Sequence, residues 1–218
     1  MTAPHPIAAR IISELQHAPP NTLGLRAVRK RFSKQLVEMD RTTVLSAAHQ
    51  LIQNAPLARF VAYEIVQHHP ATMRSLTEQE VEALGQGMKD WGAVDSFSCF
   101  VAGPAWFAGR ISDKTIARWA LSQDRWWRRA ALVSTVPLNS PDCAGPKSVK
   151  RTLAVCRLLM SDRDGMVVKA VSWALRAVAK RDPTSAKTFL SRHGEKLAPR
   201  VVREVKNKLT TGLKNPRT

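Results

Sequence analysis

Hydrophobic residues along this chain recur every three to four positions, which is the spacing of amphipathic α-helices. No segment alternates apolar and polar residues well enough to predict a β-strand. We therefore expect an all-α protein. The predicted helices cover residues 6–17, 22–38, 41–53, 56–68, 77–89, 91–103, 112–123, 125–136, 147–160, 165–181, 184–192 and 197–209.

Capping residues and prolines indicate where several of these helices begin and end. Thr77 and Glu80 have the spacing of a capping box, and Ser112 and Asp164 each stand at the head of an apolar-periodic segment. The tail from about residue 210 is predicted to fray. Helix ends are predicted at His69-Pro70, Gly103-Pro104 and Asp182-Pro183, and a turn-rich loop is predicted over residues 140–146.

Three predicted helices resemble one another, because each begins with a cation followed by small and branched apolar residues. The leading cations Arg59, Arg129 and Lys169 lie 70 and 40 residues apart, which suits a helix-pair repeat of about 35–45 residues. That spacing is HEAT-like. It predicts one domain over residues 1–218, stacked into a curved solenoid with a basic concave face lined by the second helices. A compact, non-repeating helical bundle is the alternative.

The net charge indicates which class of partner the protein binds. The chain has 34 lysines and arginines against 17 aspartates and glutamates, a net charge of +17, and the cations are not confined to one tail. Such an excess favours a polyanionic partner, and nucleic acid above all. A solubilising basic surface, a membrane surface or an acidic protein are the alternatives.

Other features limit the chemistry and the compartment. The N-terminus lacks an uninterrupted apolar segment and no window approaches 18 uncharged apolar residues, so we expect neither export nor a membrane span. The three cysteines lack CxxC spacing and are expected to be reduced thiols in a cytoplasmic protein, nucleoid-associated when bound to DNA. No Gly-rich phosphate loop occurs, and His68 and His69 are adjacent rather than four residues apart, so neither a cofactor nor a metal is predicted.

The helix over residues 165–181 places an indole among cations. Its apolar residues collect on one face, and Lys169, Trp173, Arg176 and Lys180 form a stripe on the opposite face. Cations follow phosphates, and an indole among them offers a flat apolar surface to a sugar or base. The alternative is that Trp173 covers a neighbouring helix while the cations are solvated.

A carboxylate and a second indole share one helix face at Trp91 and Asp95, which are four residues apart. A carboxylate in a groove that binds a polyanion repels phosphate, so it needs another role. It could stabilise a developing positive charge or position a water molecule. Alternatively, Asp95 pairs with Arg110, Arg129 or another cation. Val94, Phe97 and Val101 are predicted to face the core.

The segment from Arg125 to Ala130 supplies two further cations. Trp126 shares helical spacing with Ala130 and Val133 and is predicted to lie in the core. Arg129 lies at the edge of that stripe and Arg128 is expected to be more exposed. Arginine suits bidentate contact with phosphate, so both are predicted to bind DNA.

Taken together, these segments resemble the AlkD family of alkylpurine DNA glycosylases. The matching pieces are W91-G-A-V-D95-S-F, W126-W-R-R-A-A131 and K169-A-V-S-W-A-L-R176, followed by A179-K-R-D-P183. The resemblance covers roughly residues 80–185. It implies hydrolysis of the N-glycosidic bond of N3- or N7-alkylated purines in double-stranded DNA, in base excision repair and without flipping of the base.

The resemblance also implies residue roles. Asp95 would be the catalytic carboxylate, Trp91 and Trp173 the rings against the deoxyribose of the lesion, and Arg129 a phosphate contact. With no lysine evident beside Asp95, we expect a monofunctional enzyme, acting as a monomer. Gly92 stands where the family often has a polar or acidic residue, and Trp106 could lie in the core or face DNA.

Two other functions compete with the glycosylase. One is a non-catalytic relative that recognises distorted or alkylated duplex through the same basic surface. The other is a HEAT-type scaffold for an acidic protein partner.

Overall fold

A computed structural model describes residues 6–143 and 147–216. These residues form helices and connecting turns and include no β-strand, which confirms the all-α prediction. The chain divides between Gly87 and Met88 into two compact units. Nearly all the residues singled out by sequence as chemically interesting belong to the second unit.

The first unit packs its helices around small and branched apolar side chains. Helix α3 contacts α1 and α4, and α2 packs against both α1 and α4. The unit buries Glu64, whose carboxylate accepts from Arg26 Nε at 2.7 Å and Arg29 Nε at 3.1 Å. Its helices are α1 (Pro6–His17), α2 (Thr22–Leu36), α3 (Arg41–Asn54), α4 (Arg59–Gln67), α5 (Pro70–Ser75) and α6 (Glu78–Gly85).

The second unit contains one row of helices that carries the candidate site. Its helices are α7 (Trp91–Phe97), α8 (Gly103–Phe107), α9 (Asp113–Ala120), α10 (Arg125–Val133), α11 (Thr135–Leu138), α12 (Ser148–Leu159), α13 (Gly165–Arg181), α14 (Pro183–His193) and α15 (Pro199–Thr211). Helix α10 packs against α7 and α13, and α13 packs against α15. We call α7, α10, α13 and α15 the site row. Helix α9 supports the row by packing on α10, and α12 and α14 pack on α13.

The predicted N-terminal capping residues are confirmed by the cap geometry. Thr77 accepts from the Glu80 amide while the Glu80 carboxylate accepts from the Thr77 amide, as a capping box requires. Ser112 and Asp164 each accept from backbone amides of the first turns of α9 and α13. Helix α13 ends at Arg181, before the predicted Asp182-Pro183 stop.

The predicted stop at Gly103-Pro104 is wrong. The helix continues beyond Phe97 through a π-helical turn, Ser98–Ala102, and then into α8. In the π-turn the Gly103 amide donates to the Ser98 carbonyl, five residues back. A π-turn carries one extra residue, so the backbone can pass a proline that lacks an amide donor without ending the helix.

Helix α15 runs to Thr211, two residues beyond its predicted end at residue 209. Gly212 caps it in the left-handed conformation at φ 75°. Beyond it, the Lys214 carbonyl accepts from Asn207 Nδ2 at 3.1 Å, and the Lys214 ammonium lies 3.7 Å from the Glu204 carboxylate. Residues 217 and 218 lie outside the described part of the chain.

Substitution of Gly103 by alanine is expected to destabilise the protein. A Cβ at Gly103 would lie 2.4 Å from Pro137 Cγ and 2.8 Å from the Ser134 carbonyl oxygen, so α8 and α11 would have to separate. Overpacking of this kind costs about 1–3 kcal/mol of unfolding free energy, measurable by urea denaturation. The matched control is Gly165→Ala, because no atom lies within 4 Å of that Cβ position. Equal stability of both variants would contradict the close approach.

Candidate functional site

The first turn of α7 presents Trp91 to solvent. Asp90 begins the helix, and its carboxylate accepts from the Ala93 amide at 2.9 Å. A Cβ at Gly92 would lie only 3.1 Å from that Asp90 Oδ1, so glycine leaves room for the capping carboxylate. Trp91 is 60% exposed, which is unusual for an indole. Val94, Phe97 and Val101 are fully buried, as predicted, and orient the Trp91 face outward.

Asp95, one turn after Trp91, forms a two-pronged ion pair with Arg129 of α10. Arg129 Nε donates to Asp95 Oδ1 at 2.8 Å, and Arg129 Nη2 donates to Asp95 Oδ2 at 2.8 Å. The side chains retain 17% and 7% of their exposure, Asp95 being the more accessible. Sequence analysis left open an Asp95–Arg129 pair, and the structure contains it.

Arg129 also connects α7 and α10 to α13. Its Nη1 donates to the Met166 carbonyl at 2.6 Å, in the first turn of α13. These hydrogen bonds use three of the five guanidinium N–H groups. A single side chain therefore fixes the relative positions of the helices that carry Asp95 and Trp173.

A cluster of three rings supports this arrangement from behind. Phe97, Trp119 and Trp127 pack together, with the Trp119 and Trp127 centroids 4.8 Å apart and the Phe97 centroid 6.0 Å from each. Trp126, predicted to lie in the core, is only half-buried, with the Arg125 guanidinium 4.8 Å from its ring centroid. The cluster holds α7 against α9 and α10.

Trp106, whose position the sequence left open, lies in the core. It is 1% exposed, and its indole N–H donates to Asp113 Oδ1 at 2.8 Å. The Arg151 guanidinium lies 5.0 Å from its ring centroid. In this structure Trp106 therefore has a packing role.

Burial changes the acidity of the groups on this part of the helix. Burial raises the pKa of the Asp95 carboxyl above its ordinary value; the Arg129 guanidinium opposes that rise, and the nearby Asp90 carboxylate adds to it. Burial raises the pKa of the Cys99 thiol, one turn further on, to about 12. Cys99 is therefore a neutral thiol at physiological pH and is not a candidate nucleophile.

The indole and cations of α13 lie at or near the surface. Trp173 is half-buried, whereas Lys169 and Lys180 are exposed. Arg176 Nε donates to Ser172 Oγ at 3.3 Å and lies 3.9 Å from the Glu204 carboxylate. Of the cations in the predicted stripe, Lys169 and Lys180 are therefore exposed to solvent, whereas Arg176 is hydrogen-bonded to Ser172.

Arg128 is bound to protein groups in this structure. Its Nε donates to Asp162 Oδ2 at 2.8 Å, and its Nη1 donates to the carbonyls of Ser122 and Gln123. Its side chain is 20% exposed, more than that of Arg129, as expected. Direct binding of phosphate by Arg128 or Arg129 stays a prediction, because both guanidinium groups already have protein partners.

Sequence reasoning missed one cation that belongs to the same surface. Lys208 of α15 lines a groove of about 270 Å³ together with Trp173, Arg176 and Lys180. Lys208 lies 35 residues after Trp173, so only packing of α15 beside α13 brings the two together. Lys208 lies in the last turn of α15, and nothing in the sequence around it indicates a role in this groove.

Residues 6–143 and 147–216 contain neither a metal-ligand cluster nor a helix that could span a membrane. Within these residues, histidine, cysteine, aspartate and glutamate side chains form no group of three that could hold a metal ion. None of their helices has the length and apolar character needed to cross a membrane. The candidate site itself offers a part-buried carboxylate, a guanidinium, the exposed Trp91 and half-buried Trp173 indoles, and exposed cations on α13.

A part-buried carboxylate one helical turn from an exposed indole, with exposed cations further along the site row, suits a site that acts on a phosphate-containing polymer. A sequence model described as "DNA alkylation repair enzyme" matches residues 21–209, which is most of the chain. The chain belongs to this DNA alkylation repair enzyme family. Membership confirms the family resemblance read from sequence, and it indicates a role in DNA repair with DNA as the substrate. Among curated proteins, none matches the chain.

Proposed function

We propose that this member of the DNA alkylation repair enzyme family is a DNA glycosylase. It hydrolyses the N-glycosidic bond of cationic N3- or N7-alkylated purines in double-stranded DNA. The observation that carries the proposal is the Asp95 carboxylate, held by Arg129 one helical turn from the exposed Trp91 indole. Asp95 would be the catalytic carboxylate.

The charge of the lesion explains why one carboxylate can suffice. An alkylated purine is already cationic and leaves without protonation, while the deoxyribose becomes oxocarbenium-like. At an effective dielectric constant near 20, a carboxylate about 4 Å from that charge contributes on the order of 4 kcal/mol. The Arg129 guanidinium, about 8 Å away behind the carboxylate, opposes it by about 2 kcal/mol. The net stabilisation from Asp95 and Arg129 is then about 2 kcal/mol, which accelerates base release by roughly 30-fold.

The indoles and cations have separate proposed roles. Trp91 and Trp173 pack against the deoxyribose of the lesion, where each electron-rich face adds about 0.5–2 kcal/mol of cation–π stabilisation. Lys169, Arg176 and Lys180 bind backbone phosphates. Arg129 positions Asp95 and directs its remaining N–H groups to phosphate, and Arg128 joins them only if its bond to Asp162 opens.

The remaining features of the proposal follow from the same site. Trp91 lies on the surface rather than in a cavity, which supports action without flipping of the base into a pocket. We infer a monofunctional, monomeric enzyme of base excision repair that acts in the cytoplasm and on the nucleoid. The succession α7, α10, α13 and α15 supports HEAT-like stacking of helix pairs in the second unit, with the site row presented to DNA.

A second candidate function is a non-catalytic protein that binds alkylated or distorted duplex. The Asp95–Arg129 pair favours it, because a carboxylate satisfied by a guanidinium is less available to a sugar. The two functions differ in chemistry but share the basic surface.

The test is to incubate the protein with methylated duplex DNA and identify the bases set free. Release of 3-methyladenine or 7-methylguanine supports the glycosylase. Tight binding without release of any base supports the non-catalytic protein. Binding that depends little on salt contradicts both, because neutralisation of phosphates must give a steep dependence of affinity on salt.

The rate of base release is expected to fall at a higher pH than an ordinary aspartate would give. Base release requires the ionised form of Asp95. Burial raises the pKa of that carboxyl, so its ionised fraction falls at a pH above the ordinary aspartate pKa of about 3.9. Single-turnover rates from pH 4 to 8, corrected for spontaneous base release, measure this acid limb of the pH–rate profile. Arg129→Lys should move the limb to still higher pH, since a two-pronged partner is lost. A rate that stays constant down to pH 4 in the unsubstituted protein would contradict the proposed role.

A further inference from the structure

The groove between α13 and α15 combines an indole with cations from both helices. Its walls include Trp173, Arg176 and Lys180 of α13, Lys208 of α15, and the turn Asn139–Pro141. No aspartate or glutamate is among the described residues that line it. Its volume is about 270 Å³. Cavities for drug-sized ligands are larger, about 300–1,000 Å³, so this groove suits a sugar–phosphate unit better than a whole nucleotide.

Two cations of this groove, Arg176 and Lys208, are held in place by hydrogen bonds to protein acceptors. The Glu204 carboxylate is 2% exposed and lies 3.9 Å from Arg176 Nε. Glu204 accepts closer bonds from Ser172 Oγ at 2.6 Å and from Arg200 Nε at 2.7 Å. The Lys208 ammonium donates to the Gly212 carbonyl at the end of α15, which fixes its position and leaves two further N–H donors.

Three cations around one concave surface repel one another, so an anion bound among them lowers the electrostatic energy. The half-buried Trp173 ring and Ala177 form an apolar wall beside these cations. Apolar wall and cationic rim together match a deoxyribose joined to its phosphate. Isolated surface lysines would not provide the apolar part.

We propose that this groove is a subsite for one backbone phosphate of duplex DNA, with Lys208 as its principal contact. Under the proposed function, Trp173 packs on the sugar of the lesion, so the phosphate in this groove belongs to a nucleotide next to the lesion. Only that assignment rests on the proposed function. Phosphate binding itself requires only a DNA partner. Lys208 thereby extends the DNA-binding surface from α13 to α15.

The test measures the affinity of the full chain for undamaged duplex DNA as a function of salt. Each phosphate neutralised contributes about 0.9 to the slope of log affinity against log salt. Lys208→Gln is expected to reduce the slope by about 0.9, whereas Lys208→Arg should retain it. The matched control is Lys206→Gln, which removes an exposed cation of the same helix that does not line this groove.

Two results would overturn the subsite. One is an unchanged slope in Lys208→Gln; the other is an equal reduction in Lys206→Gln, which would show a general effect of charge. A titration with inorganic phosphate separates the two sources of this anion. Binding of free phosphate below millimolar concentration that requires Lys208, with the DNA slope unchanged, would show a small-anion site instead.

Failure of the subsite and failure of the proposed glycosylase are distinguishable. Base release from methylated DNA with an unchanged Lys208→Gln slope removes the subsite alone. A reduced slope in Lys208→Gln, with no base released by the unsubstituted protein, removes the glycosylase and leaves the subsite.

Discussion

Replacement of Asp95 by asparagine is expected to lower the rate of base release by roughly 10³-fold. Asparagine has nearly the same shape but no charge, so the attraction of about 4 kcal/mol between the carboxylate and the developing sugar cation is lost. Arg129 is present in both the unsubstituted protein and Asp95→Asn. In Asp95→Asn, its repulsion of the developing sugar cation is no longer opposed by a carboxylate. Single-turnover release from a duplex with one 7-methylguanine measures the effect.

DNA affinity of Asp95→Asn should be retained or increased, because a carboxylate that repels phosphate has been removed. The matched control is Asp162→Asn. Asp162 accepts from Arg128 Nε at 2.8 Å, and its side chain is 13% exposed, so this substitution weakens a similar ion pair. Asp162→Asn should release base within a few-fold of the unsubstituted rate. An equal loss in both variants would assign Asp95 a structural role.

Replacement of Arg129 by methionine is expected to cost about 3–5 kcal/mol of unfolding free energy, measured by urea denaturation. The substitution leaves the mostly buried Asp95 carboxylate without its two donors and removes the link from α10 to the Met166 carbonyl. Base release should fall as well, although the guanidinium repels the sugar cation, because Asp95 is no longer held in place.

A double-mutant cycle separates the ion pair from the rest of the environment. The double variant Asp95→Asn, Arg129→Met should be less destabilised than the sum of the two single variants, since it leaves no buried charge without a partner. Additive losses would contradict direct coupling between these side chains.

Helix positions could be predicted from sequence wherever a local signal fixes them. The capping box at Thr77 and the cap at Asp164 satisfy amide groups within one turn, so three or four residues are enough to recognise them. The stop at Gly103-Pro104 was wrong because the outcome depends on a distant contact. Gly103 packs closely against Ser134 and Pro137, which are distant in sequence, and no signal near Gly103 predicts that contact or the π-turn before it.

Candidate site residues could be proposed from sequence, but the sequence could not choose among Arg110, Arg129 and other cations as the partner of Asp95. Trp91, Asp95 and Trp173 follow from helical spacing and family resemblance, whereas the pairing of Asp95 with Arg129 depends on which helices are neighbours. One signal could have helped. Several ion pairs between helices join residues 34–39 positions apart, as in Arg129–Asp95, Arg128–Asp162 and Arg41–Glu80. This separation matches the length of the predicted helix-pair repeat.

The most direct test compares two duplexes that differ at one purine, which is cationic in one duplex and neutral in the other. One carries cationic 7-methylguanine and the other carries neutral hypoxanthine at the same position. The proposed site stabilises the sugar cation but does not protonate the leaving base, so single-turnover release is expected from 7-methylguanine alone. Equal release from both, or release of hypoxanthine only, would contradict a mechanism in which a carboxylate assists the departure of a base that is already charged.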